Sequence, residues 1–349
     1  MKLGIIGLPL SGKSTIFEAL TCVRGGDPSQ KASRRSDQRI GMVRVMDERV
    51  GFLSEMYQPK KTIYAQVEYL LPSQIISGGP STSENAIWNQ VRVCDALIHV
   101  IGNFKGDTGI KPTPEKDFQS LDEEMILNDL VVVEKRIERI ELDRKRGQGK
   151  NNEEYSLLQS CRELLEDGGS IHSNPDIASA PVLKGFTFLS AKPRLVIINN
   201  DDEDQALPEF QSIPEKNEML VVRGRLEMEI AAMSPEERKD FLSEYNIEKS
   251  ALDRIIKESY AILNLISFFT VGEDEVKAWT IKKDLSALNA AGAIHSDIEK
   301  GFIRAETLSF DNLKKYGSFR EAKKAGRVRL EGKEYSVQDG DIINFRFNV

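Results

Sequence analysis

The sequence predicts an α/β protein with a mainly parallel, doubly wound sheet, because short apolar strands alternate with amphipathic helices. Residues 2–6 form an apolar run, followed by a glycine loop and a helical pattern over 13–23. Further apolar, strand-like runs lie at 96–101 and 194–198. Between them, residues from about 120 to 167 carry a heptad-like pattern. An inserted helical hairpin is therefore expected to interrupt the sheet.

The composition limits the classes of function. A chain of 349 residues can form two or three domains, and 40% hydrophobic with 30% charged residues is ordinary for a soluble protein. The net charge of -7 confines nucleic-acid contacts to local basic patches, and no DNA specificity is expected. Cys22, Cys94 and Cys161 lie far apart, which argues against a zinc ribbon or a disulfide framework and favours the cytoplasm. No apolar stretch approaches the length of a membrane span.

The remaining segments of the first half are assigned from polarity and periodicity. Residues 24–39 and 72–85 are polar and rich in glycine, serine or proline, and both are predicted to be mobile loops. Strands are predicted at 40–46 and 63–71, and a helix at 86–94.

The character of the chain changes near residue 118. A 4, 3, 4, 3 spacing joins Ile126, Leu130, Val133, Ile137 and Ile140, and it resumes after a break at 147–152 with Leu157, Cys161 and Leu164. This spacing is typical of a short coiled coil, but an ordinary amphipathic helix pair packed on a core explains it equally well.

After the hairpin the sheet is completed and the pattern changes once more. A strand is predicted at 220–222 and helices at 234–245 and 249–265, whereas short strands and turns are expected from about 266 onward. The predicted domains are an α/β domain over 1–117 and 186–265, a helical hairpin over 118–185, and a C-terminal domain over 266–349.

The glycine loop carries the strongest motif. Its sequence is Gly7-Leu8-Pro9-Leu10-Ser11-Gly12-Lys13-Ser14-Thr15, the full Walker A pattern of a P-loop. Glycines let the backbone N–H groups turn toward phosphate oxygens, and the following helix adds its positive N-terminal end. Lys13 is expected to reach the β- and γ-phosphates, and Ser14 to offer its hydroxyl to Mg²⁺.

Two further positions bear on nucleotide chemistry. A P-loop hydrolase needs an Asp at the end of a second strand to hold Mg²⁺, but the chain has Leu70-Leu71-Pro72-Ser73-Gln74 at the expected place. Asp95 is a weak substitute, because it precedes its strand. Asn199-x-x-Asp202 resembles the loop that reads guanine in P-loop GTPases, with Asn200 in place of the Lys, although a polar strand-to-helix loop would look similar.

The C-terminal residues are the most recognisable part of the chain. They begin with Phe-Phe-Thr-Val-Gly-Glu-Asp-Glu-Val-Lys-Ala-Trp-Thr at 268–280, and two further characteristic runs follow at 290–306 and 329–341. These runs resemble the TGS domain of the YchF / Obg-like ATPase family, and the resemblance extends in order over nearly the whole chain. It implies a translation-factor-related GTPase fold with a helical insertion, a C-terminal β-grasp (ubiquitin-like) TGS domain, binding of ATP or GTP, absence of the usual catalytic Gln, and association with ribosomes.

The chain departs from the family pattern at several positions. Leu10 and Ser11 replace the family's Asn and Val in the P-loop, which leaves the phosphate cradle intact. The switch I Thr would fall near Arg35 or Ser36, and the switch II Asp is lost. The family's base loop resembles Asn-x-x-Glu, whereas this chain has Asp202, which leaves the preference between ATP and GTP open.

Basic segments provide candidate surfaces for a partner. The segment 314–333 has a local charge excess of +6 with Tyr316 and Phe319 among the cations, so it is either an RNA-contacting surface or a solvated helix face. Arg34, Arg35 and Arg39 could touch phosphates or lie in a solvated loop. His295 is expected to be structural or to contact a partner.

The sequence therefore favours a nucleotide-binding protein of the translation machinery with weak or lost hydrolysis. No catalytic residue is assigned, Mg²⁺ is expected at Ser14, and ATP or GTP is expected at Gly7, Leu10, Ser11, Gly12, Lys13, Ser14, Thr15, Asn199 and Asp202. The expected partner is a ribosome or RNA, bound through 314–333 and the TGS domain, and no membrane is involved. An active Mg²⁺-dependent ATPase or GTPase and a nucleotide-independent scaffold are the alternatives.

Overall fold

The computed structural model describes residues 1–22, 38–73, 87–106, 109, 111–147, 152–211, 219–244 and 250–348. Most of the two loops predicted at 24–39 and 72–85, including Arg34 and Arg35, falls outside these residues, as does the centre of the break at 147–152. The chain forms two compact units. The first comprises residues 1–43 and 68–255, and the second comprises residues 44–67 and 256–349.

The secondary structure alternates strands and helices through most of the chain. The strands are β1 (Lys2–Ile6), β2 (Arg39–Arg44), β3 (Lys61–Ile63), β4 (Gln66–Leu71), β5 (Ala96–Asn103), β6 (Arg194–Asn200), β7 (Met219–Val222), β8 (Leu265–Val271), β9 (Glu275–Lys282), β10 (Phe302–Ser309), β11 (Arg329–Glu331) and β12 (Asp341–Phe347). The helices are α1 (Lys13–Thr21), α2 (Glu48–Tyr57), α3 (87–91), α4 (Pro114–Lys145), α5 (Asn152–Glu166), α6 (Pro175–Ser179), α7 (Gly224–Ala232), α8 (Pro235–Glu244), α9 (Ala251–Ile262), α10 (Ala287–Ile294), α11 (Ser296–Lys300), α12 (Phe310–Tyr316) and α13 (Phe319–Lys324). Two short 3₁₀ turns, Ile171–Ser173 and Pro181–Phe186, follow α5 and α6.

The first unit contains a six-stranded sheet in the order β2-β4-β1-β5-β6-β7. Strand β1 pairs in parallel with both β4 and β5, and β5-β6 and β6-β7 are parallel too. The central strands are apolar on both faces, since Leu3, Ile5, Ile98 and Ile197 are completely buried. Such strands are typical of a parallel sheet covered by helices on both sides, and the predicted α/β class is confirmed.

The predicted hairpin consists of the long helix α4 and the shorter helix α5. Val133, Ile137 and Ile140 of α4 share one core cluster with residues of α5, as the spacing predicts. The α5 side of this core is formed by Leu158, the predicted Cys161 and Leu165, whereas the predicted Leu157 and Leu164 are only partly buried. Leucines occupy both 157 and 158 and both 164 and 165, so the spacing alone does not decide which leucine of each pair faces the core.

A buried carboxylate anchors α4 to the chain that follows the hairpin. Asp129 is completely buried and accepts hydrogen bonds from the Arg92 guanidinium at 3.0 Å and the Leu189 backbone N–H at 3.0 Å. The backbone N–H and hydroxyl of Ser190 donate to its other oxygen at 2.7 and 2.9 Å. Because a buried charge without partners is costly, this network fixes where the inserted hairpin leaves and rejoins the first unit.

The second unit is built on a mixed sheet in the order β11-β10-β12-β8-β9-β3. The first and last long strands, β8 and β12, lie side by side in parallel, and β8-β9 and β10-β12 are antiparallel. This arrangement agrees with the β-grasp fold that the resemblance implies.

The expectation of only short strands and turns beyond residue 266 was wrong, because four helices, α10 to α13, lie between β9 and β11. Each begins at a capping residue whose side chain accepts a backbone N–H, namely Ser286, His295, Ser309 and Ser318. The longest of these helices has eight residues, which is too short for periodicity to reveal it.

The segment 44–67 belongs to the second unit although its neighbours in sequence belong to the first. The single strand predicted over 63–71 is wrong, since β3 pairs with β9 in the second unit and β4 pairs with β1 in the first. Apolar alternation continues through Ile63, Ala65 and Val67, so the pattern gives no sign of the change of sheet. Helix α2, which no prediction covered, packs Val50 and Leu53 into the core of the second unit.

Among the described residues, no helix combines the length and apolar character that crossing a bilayer requires.

Substitution of Leu53 by Ala tests whether α2 is part of the core of the second unit. Leu53 is completely buried in a cluster with Phe269 and Leu308, so Leu53→Ala is expected to destabilise this unit by about 2–5 kcal/mol. The chain has two tryptophans, and only Trp279 lies in the second unit, so its fluorescence in a Trp88→Phe background reports urea unfolding of that unit.

Met46→Ala is the matched control, because Met46 lies in the same segment and is 71% exposed. A change below about 0.5 kcal/mol is expected for it. Equal small effects of both substitutions would contradict the assignment of α2 to this core.

Candidate nucleotide-binding site

A cavity of about 790 Å³ opens at the carboxyl ends of the parallel strands in the first unit. Its lining combines the chain after β1, the chain after β5 and the chain after β6, with side chains of α7. Parallel sheets bind ligands at this edge, because the loops that leave adjacent strands meet there. The volume lies within the range of about 300–1,000 Å³ that is usual for small-molecule sites.

The glycine loop has a backbone that depends on its sequence. Gly12 has φ of 84°, and a Cβ at this position would lie 2.0 Å from the side-chain nitrogen of Asn199. A Cβ on Gly7 would lie 2.5 Å from the backbone oxygen of Val100. Leu10 also has a positive φ, 65°, and its side chain is 80% exposed at the tip of the loop. A tight cradle that only glycine permits, with one strained residue at its tip, fits a phosphate-binding loop.

Asn199 connects this loop to the next part of the site. It is the penultimate residue of β6 and is buried. Its side-chain amide donates to the backbone carbonyl of Ser11 at 3.1 Å and accepts from the backbone N–H of Gly224 at 2.9 Å. The amide therefore holds the glycine loop and the start of α7 in one arrangement. The base-binding role of Asn199 stays a prediction, to which the structure adds this bridging role.

The residues of the Walker A motif that follow Gly12 begin helix α1. Lys13 is partly buried, and its ammonium donates to the backbone carbonyl of Leu8 at 3.1 Å. Burial lowers the pKa of Lys13, because the ammonium group is partly removed from water. An anion bound nearby would stabilise the charged form of Lys13. Ser14 is exposed, Thr15 lines the cavity, and the first turn of α1 contains no acidic residue. The positive end of the helix is thus left open to an external anion.

Ser11 supplies a further sign of an incomplete site. Its side chain is buried, and its hydroxyl oxygen has no hydrogen-bond partner among the described residues. An unpaired buried hydroxyl costs about 1–3 kcal/mol.

Asp202 and Asn200 shape the loop after β6. One carboxylate oxygen of Asp202 accepts from the backbone N–H of Leu226 at 3.1 Å, and the other lies 4.0 Å from the Arg225 guanidinium. Asn200 is buried, accepts from the Asn103 amide at 2.9 Å and donates to the backbone carbonyl of Ala206 at 2.8 Å. Asn200 therefore orders the loop that follows β6, and both Asn200 and Asp202 line the cavity.

Several lining residues were not predicted from the sequence. Phe104 and Met228 add apolar surface, and Lys105, Lys111 and Arg225 add positive charge at the rim. Phe104 directly follows β5, and a position directly after a buried parallel strand was the one signal that could have identified it. The helix α7, which begins at Gly224, was also not predicted.

The described residues near the glycine loop provide few side chains that could bind a metal ion. Strand β4 ends at Leu71, and the next described residues, Pro72 and Ser73, carry no carboxylate. No group of three or more metal-ligating side chains exists among the described residues. Asp95 lies at the opposite edge of the sheet, because it precedes β5, and it accepts from the backbone N–H of Lys2 at 2.9 Å. Arg39 begins β2 and pairs with Glu18 of α1 at 2.9 Å.

The three histidines take no part in this cavity. His295 is exposed and caps α11, where its Nδ1 accepts from the backbone N–H of Asp297 at 3.2 Å. His99 is buried in β5 and stacks on Phe118, and burial lowers its pKa well below the usual value. His172 lies in a 3₁₀ turn of the first unit.

A glycine loop between a parallel strand and a helix, with an open helix N-terminus facing a cavity at the strand ends, defines a P-loop nucleotide-binding protein. Residues 265–348 match the family model YchF-GTPase_C, described as "Protein of unknown function (DUF933)". The chain is 38% identical to the "Ribosome-binding ATPase YchF" of Bacillus subtilis (strain 168), over 99% of both chains. It is 35% identical to the protein of that name in Escherichia coli O157:H7, over 100% of this chain and 99% of the relative. The chain therefore belongs to the YchF family.

A solved structure supports the same assignment. The chain superposes on the "Schizosaccharomyces pombe YchF GTPase" with a TM-score of 0.80 and 28% identity, over 99% of this chain and 97% of the other. A GTP binding protein from Pyrococcus horikoshii OT3 shares the fold, with a TM-score of 0.56 and 16% identity.

Substitutions of Asn199 test its bridging role. Asn199→Asp keeps an acceptor for the Gly224 N–H but places a second oxygen opposite the Ser11 carbonyl, 3.1 Å away in the native pair. The repulsion between the two oxygens is expected to displace the glycine loop and to weaken phosphate binding by about tenfold or more. The lost hydrogen bond and the buried group left without a partner cost about 1–3 kcal/mol. Isothermal titration with ADP measures the change.

Asn128→Ala is the control, because the Asn128 amide donates to the backbone carbonyl of Glu124 at 2.9 Å within α4, away from the cavity. Unchanged ADP affinity is expected for it. If Asn199→Asp also bound ADP with native affinity, the loop would not depend on this amide.

Proposed function

We propose that this chain binds a purine nucleoside triphosphate in the cavity of the first unit and associates with ribosomes, with slow hydrolysis of the nucleotide. The observation that carries the proposal is the glycine loop, whose backbone at Gly12 leaves no room for a Cβ and whose following helix begins with no side-chain cap and no acidic residue in its first turn. Membership of a family whose named relatives are ribosome-binding ATPases supports the ribosomal part. A ribosome partner would place the chain in the cytoplasm.

The phosphates are proposed to occupy the space above Gly7, Gly12 and Ser14. Lys13 would exchange its hydrogen bond to the Leu8 carbonyl for one to a phosphate oxygen. Ser11, whose buried hydroxyl has no partner among the described residues, and the exposed Ser14 both belong to the motif and would gain partners on the nucleotide. The residues therefore fit a triphosphate, because each unsatisfied group of the loop is a donor or a cation.

The base is proposed to lie toward Phe104 and Met228, which supply the apolar wall of the cavity. Adenine is favoured over guanine. Guanine would present two donors to the Asp202 carboxylate, but one of its oxygens already accepts from the Leu226 N–H at 3.1 Å and the other lies 4.0 Å from the Arg225 guanidinium. The amide of Asn200, which stands where GTPases of the related pattern carry Lys, is already hydrogen-bonded to the Asn103 amide and the Ala206 carbonyl.

Slow hydrolysis is proposed because the described residues of the site offer few ligands for the metal. Ser14 fits one position of the Mg²⁺ shell, and the phosphates and waters would complete it, which Mg²⁺ tolerates. When bound, Mg²⁺ would neutralise charge on the phosphates. The residues after β4 that the structure describes, Pro72 and Ser73, offer no carboxylate to orient this shell or a water.

Nucleotide titration of the full chain tests the site. The native protein is expected to bind ATP and ADP with Mg²⁺, and to bind them more tightly than GTP and GDP. Lys13→Ala is expected to weaken ATP binding by about 100-fold, because a hydrogen bond to a charged group contributes about 1.5–3 kcal/mol. Fluorescent-nucleotide displacement measures each affinity.

Lys105→Ala is the matched control, since Lys105 is an exposed lysine at the rim of the same cavity, and only a small loss is expected. If the native protein binds none of these nucleotides, the alternative of a nucleotide-independent scaffold is favoured. Turnover of many ATP molecules per minute, with or without ribosomes, would instead favour the active ATPase.

The basic segment 314–333 is proposed as a ribosome contact. Part of its charge is already neutralised, because Lys323 pairs with Glu306 at 2.7 Å and Lys324 pairs with Glu321 at 2.7 Å. Arg329 donates to Tyr335 at 2.7 Å and lies 3.5 Å from Glu331. Five exposed cations have no carboxylate partner among the described residues: Lys314, Lys315, Arg320, Arg327 and Lys333. This unpaired charge suits a phosphate backbone.

A triple substitution of Lys314, Lys315 and Arg320 by Ala tests this surface. It is expected to weaken co-sedimentation with ribosomes at low salt and to reduce the slope of log K against log salt by about 2–3, if each cation meets one phosphate. Substitution of Lys60, Lys61 and Lys300 by Ala removes the same charge from other exposed positions of the second unit. Equal losses in both variants would show a general charge effect instead of a contact at this segment.

A further inference from the structure

Two connections join the nucleotide-binding sheet to one inserted segment. Strands β2 and β4 are neighbours in the sheet of the first unit, and the chain between them enters the second unit at residue 44 and leaves it at 67. The chain crosses a third time after residue 255. The segment 44–67 is therefore a loop of the nucleotide-binding sheet that is folded into the other unit.

The first-unit end of this segment is tied to the helix of the glycine loop. The Arg39 guanidinium at the start of β2 pairs with Glu18 of α1 at 2.9 Å, and it stacks over the Phe17 ring at 4.8 Å from its centroid. Phe17 is completely buried. The position of β2 thus depends on the helix that carries Lys13 and Ser14 at its other end.

The second-unit end is held by a network of hydrogen bonds and ion pairs around the partly buried Arg49. After β2, the Val45 N–H donates to the Ala65 carbonyl at 2.8 Å, which closes the segment on itself. Arg49 of α2 donates to Asp47 and, at 2.7 Å, to Asp339. Asp339 in turn accepts the backbone N–H of Ser267 in β8 at 2.9 Å. The Arg49 guanidinium also lies 5.1 Å from the centroid of the Phe269 ring.

The segment also completes the sheet and core of the second unit. Strand β3 pairs with β9 over three residues and forms the last strand of the sheet. Val50, Leu53 and Ala65 share a core cluster with Phe269 and Ile342. If the segment detaches, the second unit loses an edge strand, part of its core and the Arg49–Asp339 pair together.

We propose that the segment 44–67 is a transmission element, through which nucleotide bound at the glycine loop stabilises the second unit against local opening. This inference rests on the proposed nucleotide function. The free energy is carried by covalent connection and by named contacts at each end: Arg39 with Glu18 and Phe17 in the first unit, and Arg49 with Asp339 in the second.

The direction of the effect follows from loop closure. A bound nucleotide holds α1, and through Arg39 it holds the β2 end of the segment. A segment fixed at its ends gains less conformational entropy when it detaches, so detachment becomes rarer. Linkage requires the reverse effect too, since a chain with a detached segment must bind nucleotide more weakly by the same factor. The second unit, which carries the basic segment 314–333, is thereby made sensitive to the nucleotide.

Native-state hydrogen exchange of the full chain tests the proposal. Exchange is followed in peptides from α2 and β8, with and without saturating ADP and Mg²⁺, and ADP binding is measured by titration on the same samples. ADP is expected to slow exchange in these peptides by about fivefold or more, the lower end of typical coupling between sites. Titration without binding would overturn the proposed function and this inference together, whereas binding without slowing would overturn the inference alone.

Substitutions of Arg39 and Arg136 test whether the effect of ADP on the second unit passes through Arg39 or is a general stabilisation of the chain. Arg39→Ala leaves the second unit untouched, so exchange in β8 without ADP is expected to stay native while the slowing by ADP falls below about twofold. Arg136→Ala is the control, because it removes a 2.7 Å ion pair with Glu154 in the hairpin of the same unit, and it should keep the full slowing. Full slowing in Arg39→Ala, or an equal loss in both variants, would overturn the assigned path.

At the other end, Arg49→Ala is expected to speed exchange in β8 without ADP and to reduce the slowing. Lys60→Ala, which removes an exposed ion pair of the same unit with Asp274, should change neither quantity. A protein in which Arg49→Ala leaves both the basal exchange and the slowing native would contradict the role of the Arg49–Asp339 pair.

Discussion

The arrangement of the site depends on one buried amide, that of Asn199. Its two polar atoms join the Ser11 carbonyl and the Gly224 N–H, which belong to the loop after β1 and to the start of α7. Neither contact leaves room for a Cβ at Gly12, so the glycine and the amide require one another. A buried amide has few alternatives once its partners are fixed, because an unpaired donor or acceptor there is costly. The cavity walls are consequently set before any ligand arrives.

The residues expected around the phosphates could be predicted from the sequence better than those expected around the base. Walker A spacing is local, and its position between a strand and a helix could be read directly from residues 2–23. Phe104, Met228 and Arg225 come together with the loop only through the parallel order of β1, β5 and β6. Such contacts span about a hundred or more residues of sequence, and no periodicity encodes them.

The fold shows a similar division. Long elements with a clear period, such as α4 and the buried strands, were predicted because their burial pattern repeats several times. Helix α2 and the change of sheet between Ile63 and Gln66 were not, since apolar alternation is identical whichever sheet receives the strand. The family model that matches 265–348 likewise omits the residues 44–67 that complete the same unit. Continuity in sequence is a poor guide to a unit assembled from two segments.

A unit assembled in this way has a consequence for function that an appended domain would not have. A domain joined by one linker can exchange free energy with its neighbour only through an interface. The second unit here receives two covalent connections from adjacent strands of the nucleotide-binding sheet, and one of them begins at Arg39, which is paired to the helix of the glycine loop. If hydrolysis is slow, as proposed above, occupancy of the site persists. A persistent ligand coupled to a surface of the second unit would act as a conformational signal, which requires only differential stabilisation and no turnover.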